Sequence, residues 1–147
     1  MPKLRFERPT TAPIDVLWGV LTDHRGYTRW GAAERVTLEV EGSPDVNGTG
    51  AVRRIEQGPV RVREQILEFE PPRRFRYTVL SGPPVKDYFA EVRLTESAGG
   101  TALQWRVDFE PRLRGTGHVV AWVVGAVIQR LMKKAIREAE RRTREAR

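Results

Sequence analysis

The sequence feature that most constrains the fold is a series of six strand-like segments followed by one long segment of helical composition. Most of the six alternate apolar and polar residues, and Gly, Pro, Asn or Asp residues separate each segment from the next. A period of two indicates a strand with one face in the core, and turn residues at every junction favour antiparallel neighbours. The sequence therefore predicts an antiparallel meander. Its strands lie within residues 36–40, 51–56, 60–69, 75–79, 88–94 and 101–109.

A different pattern begins at His118. From this residue to the end of the sequence the chain has helical composition and contains neither proline nor a turn pattern. The first half of this segment is apolar on all sides, and its second half keeps an apolar stripe that includes Leu131 and Met132. A helix that is apolar all round must be buried on most sides. We therefore expect residues 119–128 to be largely buried, with the long helix filling the concave side of a curved sheet.

The N-terminal segment adds one strand and two short helices. Lys3–Glu7 is predicted to form a strand that Pro9 ends, and Pro13 suits the first turn of a helix. Asp23 can cap a second short helix that reaches Trp30. The predicted fold class is α+β, with a curved seven-stranded antiparallel sheet wrapped around a long C-terminal helix and two short helices after the first strand. We expect residues 1–147 to form a single domain, because common domains contain roughly 100–200 residues.

Composition excludes several classes of protein. The absence of cysteine excludes disulfide scaffolds, thiolate zinc sites, iron–sulfur clusters and cysteine nucleophiles. His24 and His118 are far apart in the sequence and show no metal-ligand spacing, so we predict no metal and no cofactor. No apolar stretch reaches the roughly 20 residues of a transmembrane helix. The N-terminus also lacks the apolar run of a signal peptide, and we therefore expect a cytoplasmic protein without a transmembrane segment.

Positive charge is concentrated at the C-terminal end of the chain. The formal net charge is +7, and residues 130–147 contain eight basic and three acidic side chains. A basic segment of this kind can meet nucleic acid or an anionic membrane. No aromatic residue is interleaved with these charges, so we interpret the segment as a solvated helix end. Nucleic acid is not an expected partner, and peripheral membrane contact through the basic C-terminal helix stays open.

Short motifs along the chain point to a known family. They are Ala12-Pro13 with Val16-Leu17-Trp18, the segments 48–55, 62–66, 77–79 and 100–111, and Gly115-Thr116-Gly117 before the last helix. In this order they resemble the polyketide cyclase/dehydrase-like branch (SRPBCC-type) of the START-like helix-grip superfamily, over essentially the whole chain. The resemblance implies a helix-grip fold with a ligand cavity between the sheet and the long helix. The branch contains cyclases as well as ligand and lipid carriers, so it does not define a reaction.

The alternation of side chains singles out Arg53 and Glu64 as candidate catalytic residues. Glu64 shares its side of the strand with Val62 and Ile66, and Arg53 shares its side with Ile55 on the neighbouring strand. A buried carboxylate needs a partner or a raised pKa. The functional hypothesis is an inward Arg53–Glu64 pair that polarises a ligand carbonyl or assists proton transfer. The alternative is a structural ion pair without a catalytic role.

Aromatic residues supply the candidate ligand-binding positions. Three of them lie on the apolar sides of separate strands, where they can line a pocket and offer hydroxyl or indole donors or serve as ordinary core. Others lie on the short helices or at the start of the last helix, where a pocket mouth is expected, and a histidine there can act as acid or base. An exposed helix-start position is the alternative for both histidines. The predicted ligand-binding set is Trp18, Tyr27, Trp30, Tyr77, Tyr88, Trp105, His118 and Trp122.

Three functions are consistent with these observations. The first is binding of a polyketide-, lipid- or quinone-like molecule between the sheet and the long helix, with cyclase or dehydratase activity as an open question. The second is a non-catalytic lipid carrier or sensor. The third is a nucleic-acid or ribosome-associated module that uses the basic C-terminal helix. We expect the first, with a hydrophobic small molecule as the ligand and a monomer or homodimer as the assembly.

Overall fold

The computed structural model describes residues 2–146 and contains seven strands, two α-helices and one short 3-10 helix. The helices are α1 (Ile14–Thr22), the 3-10 helix (His24–Thr28) and α2 (Gly117–Glu145). The strands are β1 (Lys3–Thr10), β2 (Arg35–Val40), β3 (Val52–Gln57), β4 (Val60–Glu70), β5 (Arg74–Ser81), β6 (Val85–Ser97) and β7 (Gly100–Pro111). The predicted α+β class and the element order are confirmed.

All seven strands belong to one antiparallel sheet in the order β1-β7-β6-β5-β4-β3-β2. Strands β2 to β7 follow one another as a meander, and β1 forms the edge of the sheet opposite β2, where it pairs with β7. Irregular pairing interrupts the ladders at several points, and such bulges bend strands and increase their twist. They lie between Leu38 and Val40, Arg63 and Glu64, Ile66 and Glu68, and Lys86 and Phe89. The result is the curved sheet of a helix-grip fold.

Helix α2 packs against α1, β1 and β7 through one buried side. That side includes Val120, Gly125, Ile128 and Met132. A Cβ atom on Gly125 would lie 3.3 Å from Cζ of Phe6, so the small residue permits the close approach of α2 to β1. The inward face of the sheet supplies the rest of the core, in which Phe75, Leu94, Leu103 and Phe109 are fully buried.

The prediction that the first half of α2 is buried on most sides is wrong. Val119, Trp122, Val123 and Val127 are exposed, and Trp122 retains 75% of its accessible surface. The physical reason is that α2 lies along the sheet rather than inside a closed shell. Only one side of the helix therefore meets other elements, however apolar the remaining sides are.

Two boundary predictions also differ from the structure. Pro9 does not end the first strand, which continues to Thr10. Proline is tolerated here because β1 is an edge strand, where the missing N–H group need not form a hydrogen bond to a neighbouring strand. The second short helix ends at Thr28 and not at Trp30, before Gly31 adopts a left-handed φ of 82°. Among the described residues, neither α2 nor any shorter helix combines the length and apolar character that crossing a bilayer requires.

Candidate functional site

Arg53 and Glu64 form a buried ion pair on the inward face of the sheet. They are directly opposite each other in the pairing of β3 with β4. Nε and Nη2 of Arg53 lie 2.8 Å and 2.7 Å from the same oxygen, Oε1 of Glu64. Burial alone would lower the pKa of Arg53, but the neighbouring Glu64 carboxylate raises this pKa above its ordinary value. The sequence-based expectation that these two side chains meet is correct, and Arg53 remains a fixed positive charge.

The neighbouring arginines point the other way. Arg54 and Arg63 are half-buried or exposed and pair with Glu39 on the outer face of the sheet. Side-chain alternation therefore separates an inward arginine from two outward ones over a short stretch of chain. The inward position of Arg53 is what makes it a candidate for ligand contact.

Two tyrosine rings enclose the Arg53 guanidinium. Its Cζ atom lies 5.7 Å from the ring centre of Tyr27 and 5.3 Å from that of Tyr77. Tyr27 is carried over Arg53 by the 3-10 helix and donates a hydrogen bond of 2.6 Å to the Leu21 carbonyl oxygen. Among residues 2–146, the buried Nη1 atom of Arg53 has no acceptor in hydrogen-bonding geometry, although the nearby Tyr27 hydroxyl group also raises the pKa of Arg53. The site thus offers one strong, desolvated donor between aromatic faces.

A wall of aromatic side chains extends from Arg53 along the inward face of β5, β6 and β7. The ring centres of Tyr77 and Tyr88 lie 6.1 Å apart, and the stacked rings of Tyr88 and Phe109 have the same centre-to-centre distance of 6.1 Å. Trp105 donates its indole N–H to the Tyr77 hydroxyl over 3.2 Å. Burial raises the pKa of both Tyr77 and Tyr88 above the ordinary tyrosine value. Their hydroxyl groups are therefore neutral near pH 7 and can donate hydrogen bonds.

His24 belongs to this site, and the interpretation of its sequence position as exposed is wrong. It retains only 1% of its accessible surface, and its ring meets that of Tyr27 edge-on at 5.5 Å. Within the described part of the chain, neither ring nitrogen has a hydrogen-bond partner. Burial, and then the charge of Arg53, lower the pKa of His24 well below 6.5, so the ring is neutral near pH 7. The signal that could have revealed it is the three-residue spacing of His24 and Tyr27, which places both on one side of a 3-10 turn.

Two further predicted ligand-binding residues, Trp18 and Trp30, lie at two separate places. Trp18 is buried against Phe69 and Phe75, at centroid distances of 5.2 Å and 5.8 Å. Trp30 is half-buried and packs edge-on against Tyr27 at 5.1 Å. Both positions adjoin the inward face of the sheet or the 3-10 helix that covers it.

His118 and Trp122 are not brought to the aromatic wall. His118 is exposed and lines a groove of about 490 Å³ with Pro111, Gly117 and Ala121. Trp122 lies on the solvent side of α2, so the predicted pocket mouth of Tyr27, Trp30 and Trp122 does not form. The reason is the orientation of the helix, since Val120 and Ile128 occupy the inward side at this end of α2.

The assembled groups can bind and polarise an oxygen atom. Arg53 supplies a permanent cation, Tyr77 and Tyr88 supply neutral hydroxyl groups, and His24 supplies a neutral imidazole. Arginine can stabilise developing negative charge on a carbonyl oxygen, and imidazole or tyrosine can carry a proton. Across residues 2–146, no group of three or more His, Asp or Glu side chains is arranged to hold a metal ion.

Comparison with known proteins agrees with this architecture. Residues 1–146 match the family model described as "Polyketide cyclase / dehydrase and lipid transport". A START superfamily protein from Mycobacterium smegmatis has a similar structure, with a TM-score of 0.80, 12% identity, and coverage of 95% of this chain and 97% of that chain. The Zhui aromatase/cyclase from a Streptomyces strain is also similar, with a TM-score of 0.76, 23% identity, and coverage of 99% and 97%. At these identities the similarity shows the fold. No curated protein matches the sequence.

Proposed function

Because this chain belongs to the polyketide cyclase/dehydrase and lipid transport family, we propose that it binds a hydrophobic small molecule between the inward face of the sheet and the helices. The ligand is polyketide-, lipid- or quinone-like, with an apolar body and at least one acceptor oxygen. The observation that carries the proposal is the buried Nη1 atom of Arg53, which has no acceptor among residues 2–146. A buried donor of this kind gains most from an acceptor that reaches it.

The surroundings of Arg53 favour a ligand that is mostly apolar. Ligand sites typically combine an apolar lining with a few placed polar groups. Tyr77, Tyr88, Trp105 and Phe109 belong to the buried core on the sheet side and would line the ligand site, and Trp18 would extend this lining beside α1. Arg53 and the tyrosine hydroxyl groups are the polar exceptions. Such a site recognises one oxygen on a flat or chain-like carbon skeleton.

Entry to this site is expected beside the 3-10 helix. This element has only five residues and places Tyr27 over Arg53. Its packing partners are α1 and β2, and β2 is an edge strand with no buried side chain. A small outward movement of the 3-10 helix would uncover Arg53 and the Tyr77 ring. The proposal therefore places the ligand oxygen at Arg53 and the apolar body along β5 to β7.

A second candidate function, cyclase or dehydratase activity at the same site, is favoured by His24. A neutral imidazole beside a fixed guanidinium can accept a proton from a carbon next to a carbonyl, while Arg53 stabilises the developing oxyanion. In this scheme Arg53 and His24 would be the catalytic residues, and Glu64 a positioning residue that orients Arg53. A non-catalytic carrier or sensor would use the same contacts without turnover.

Native mass spectrometry of freshly purified protein, followed by extraction and identification of bound molecules, tests ligand binding directly. We expect a co-purified apolar molecule with a carbonyl or hydroxyl oxygen. The variant Arg53→Met/Glu64→Leu should lose it, because the pair that would hold the oxygen is replaced by apolar side chains of similar size. Arg63→Met is the matched control, since Arg63 lies beside Glu64 in sequence but pairs with Glu39 on the outer face.

Two results would count against the proposal. One is recovery of the same ligand from the double variant, which would place the oxygen elsewhere. The other is an empty protein that also fails to bind added aromatic ketones, which would indicate a filled core. Cyclase or dehydratase activity is tested separately, by whether any bound ligand is converted by the native protein and not by His24→Phe.

A further inference from the structure

The side of α2 that faces away from the sheet carries an unusual set of large apolar side chains. Val119, Trp122, Val123 and Val127 are all exposed, and Trp122 is the most exposed of them. In an α-helix, residues three or four apart lie on the same side, so these four form a continuous patch over the first turns of α2. Leu113, in the loop that leads into α2, is also exposed.

The same side of the helix continues as a basic surface. Arg130, Lys133 and Arg137 follow Val123 and Val127 at helical spacing and extend the patch toward the C-terminal end of α2. We call Val119, Trp122, Val123, Val127, Arg130, Lys133 and Arg137 the outer face of α2.

The basic side chains of the outer face of α2 are not neutralised by the protein. Considering residues 2–146 only, Arg130, Lys133 and Arg137 take part in no ion pair, whereas Arg141 and Arg142 both pair with Glu138. The acidic side chains farther along α2 have other partners, since Glu138 and Glu145 pair with Arg141 and Glu140 accepts a hydrogen bond from Thr10. The outer face of α2 therefore combines exposed apolar bulk with uncompensated positive charge.

We propose that the outer face of α2 docks the protein on an anionic lipid surface. Apolar side chains, tryptophan among them, favour the boundary between lipid headgroups and acyl chains, and basic residues on the same helix favour anionic headgroups. The length of α2 suits this arrangement, because its 29 residues allow the apolar part and the basic part to lie on the surface together. The charge complementarity identifies the partner as an anionic bilayer.

Two other occupants fit the outer face of α2 less well. In a symmetric dimer, a second copy of the chain would present the same face, whose seven residues include no acidic side chain to lie opposite Arg130, Lys133 and Arg137. A nucleic acid would neutralise the basic part but would leave Val119, Val123 and Val127 in water, since phosphate recognition relies on charge rather than on aliphatic side chains.

Vesicle co-sedimentation of the full chain tests the proposal without any added ligand, so its outcome does not depend on the function of the inward site. We expect binding to phosphatidylcholine vesicles that contain about one-third phosphatidylserine, weak binding to phosphatidylcholine alone, and release at high salt. Trp18 and Trp105 are buried and Trp30 is half-buried, whereas Trp122 is exposed. Its emission should therefore shift to the blue when anionic vesicles are added, and the shift should disappear in Trp122→Phe.

Paired variants separate docking from general effects of charge and apolarity. Trp122→Ser/Val123→Ser and Lys133→Gln/Arg137→Gln should each weaken vesicle binding by about tenfold or more. Lys3→Gln/Arg5→Gln removes the same charge from exposed positions on β1, and Phe89→Ser removes an exposed apolar ring from β6. Both controls should bind anionic vesicles within about twofold of the native protein. Circular dichroism should show the same helix and strand content for all variants.

Three results would overturn the proposal. The first is the absence of binding to anionic vesicles by the folded native protein. The second is an equal loss of binding in Lys3→Gln/Arg5→Gln and in Lys133→Gln/Arg137→Gln, which would indicate attraction by net charge alone. The third is a native dimer in analytical ultracentrifugation that becomes monomeric in Trp122→Ser/Val123→Ser, which would assign the outer face of α2 to a second copy of the chain.

Discussion

Arg53 directs two guanidinium nitrogens at one oxygen of Glu64, across the pairing of β3 with β4, and leaves its third nitrogen without an acceptor among residues 2–146. The pair therefore holds the guanidinium in one orientation while keeping a donor available. The Arg53 side chain retains 3% and the Glu64 side chain 12% of the accessible surface, so little water surrounds either group. This relationship gives the site its positive charge and also makes it vulnerable to substitution.

Glu64→Ala should destabilise the protein by ~3 kcal/mol, because it leaves the charge of Arg53 buried and unpaired. Arg53→Met/Glu64→Leu should cost much less, since well-packed apolar residues often replace a buried ion pair with little loss. Urea unfolding followed by circular dichroism measures both free energies. A change below about half a kcal/mol for Glu64→Ala, the size usual for surface sites, would contradict the buried pair.

The buried position of His24 predicts a pH dependence of stability. Its folded pKa is lowered below 6.5, so the unfolded chain binds the proton more readily than the folded protein does. The free energy of unfolding should therefore be constant above about pH 7.5 and should fall as pH decreases below about 6.5, with a slope of at most about 1.4 kcal/mol per pH unit.

Substituting each histidine in turn shows which one causes the pH dependence of the free energy of unfolding. His24→Phe should remove it between about pH 5 and 7, above the range in which carboxylates titrate. His118→Gln should preserve it, because His118 is exposed near the start of α2. Urea midpoints measured across this pH range distinguish the two variants. A native protein whose stability is flat over the range would show that His24 is not held neutral by burial.

Tyr77→Phe should cost about 1–3 kcal/mol, because it removes the acceptor for the buried indole N–H of Trp105. Thr28→Ala is a control at an exposed hydroxyl group, and it should change the free energy of unfolding by less than about half a kcal/mol. Thermal or chemical unfolding monitored by tryptophan fluorescence can compare them. Equal stabilities for Tyr77→Phe and the native protein would mean that this hydrogen bond contributes nothing to the site.

Glycines in the two helices offer a test of how closely α2 approaches β1. A Cβ atom on Gly19 of α1 would meet no atom within 4 Å, whereas one on Gly125 would lie 3.3 Å from Phe6. Gly19→Ala should therefore stabilise the protein by about 0.5–1 kcal/mol through helix propensity. Gly125→Ala should increase the free energy of unfolding by less, because the Phe6 ring must move to make room for the new Cβ atom. A larger gain at Gly125 in urea unfolding would indicate looser packing between α2 and β1.

Local alternation of side chains predicted most of the sheet and the meeting of Arg53 with Glu64. These features depend on a period of two and on turn residues, which are visible in the sequence. Alternation was less reliable near strand ends. Val60 shares the side of Glu64 but is exposed, because it is the first residue of β4 after the turn and is paired with Gln57 at the end of β3. The single-domain assignment for residues 1–147 stays a prediction.

Features that depend on how elements face one another were not predictable from the sequence. The apolar composition of residues 119–128 indicated burial, but α2 presents only one side to the sheet, so Trp122 and Val119 are exposed. The spacing of His24 and Tyr27 indicates that they share one side of the 3-10 helix, but not that this side turns inward, which is decided by packing of the helix against β2 and α1. Both outcomes are set by long-range packing rather than by local pattern.

The central claim is that Arg53 binds the oxygen of a hydrophobic ligand, and a matched pair of probes tests it most directly. Fluorenone and fluorene share a flat apolar skeleton and differ in one carbonyl oxygen. Isothermal titration should show that the native protein and Arg63→Met bind fluorenone at least about tenfold more tightly than fluorene, a preference worth about 1.4 kcal/mol. In Arg53→Met/Glu64→Leu the two affinities should become similar. Equal affinities in the native protein, or a preference that survives in the double variant, would contradict the account.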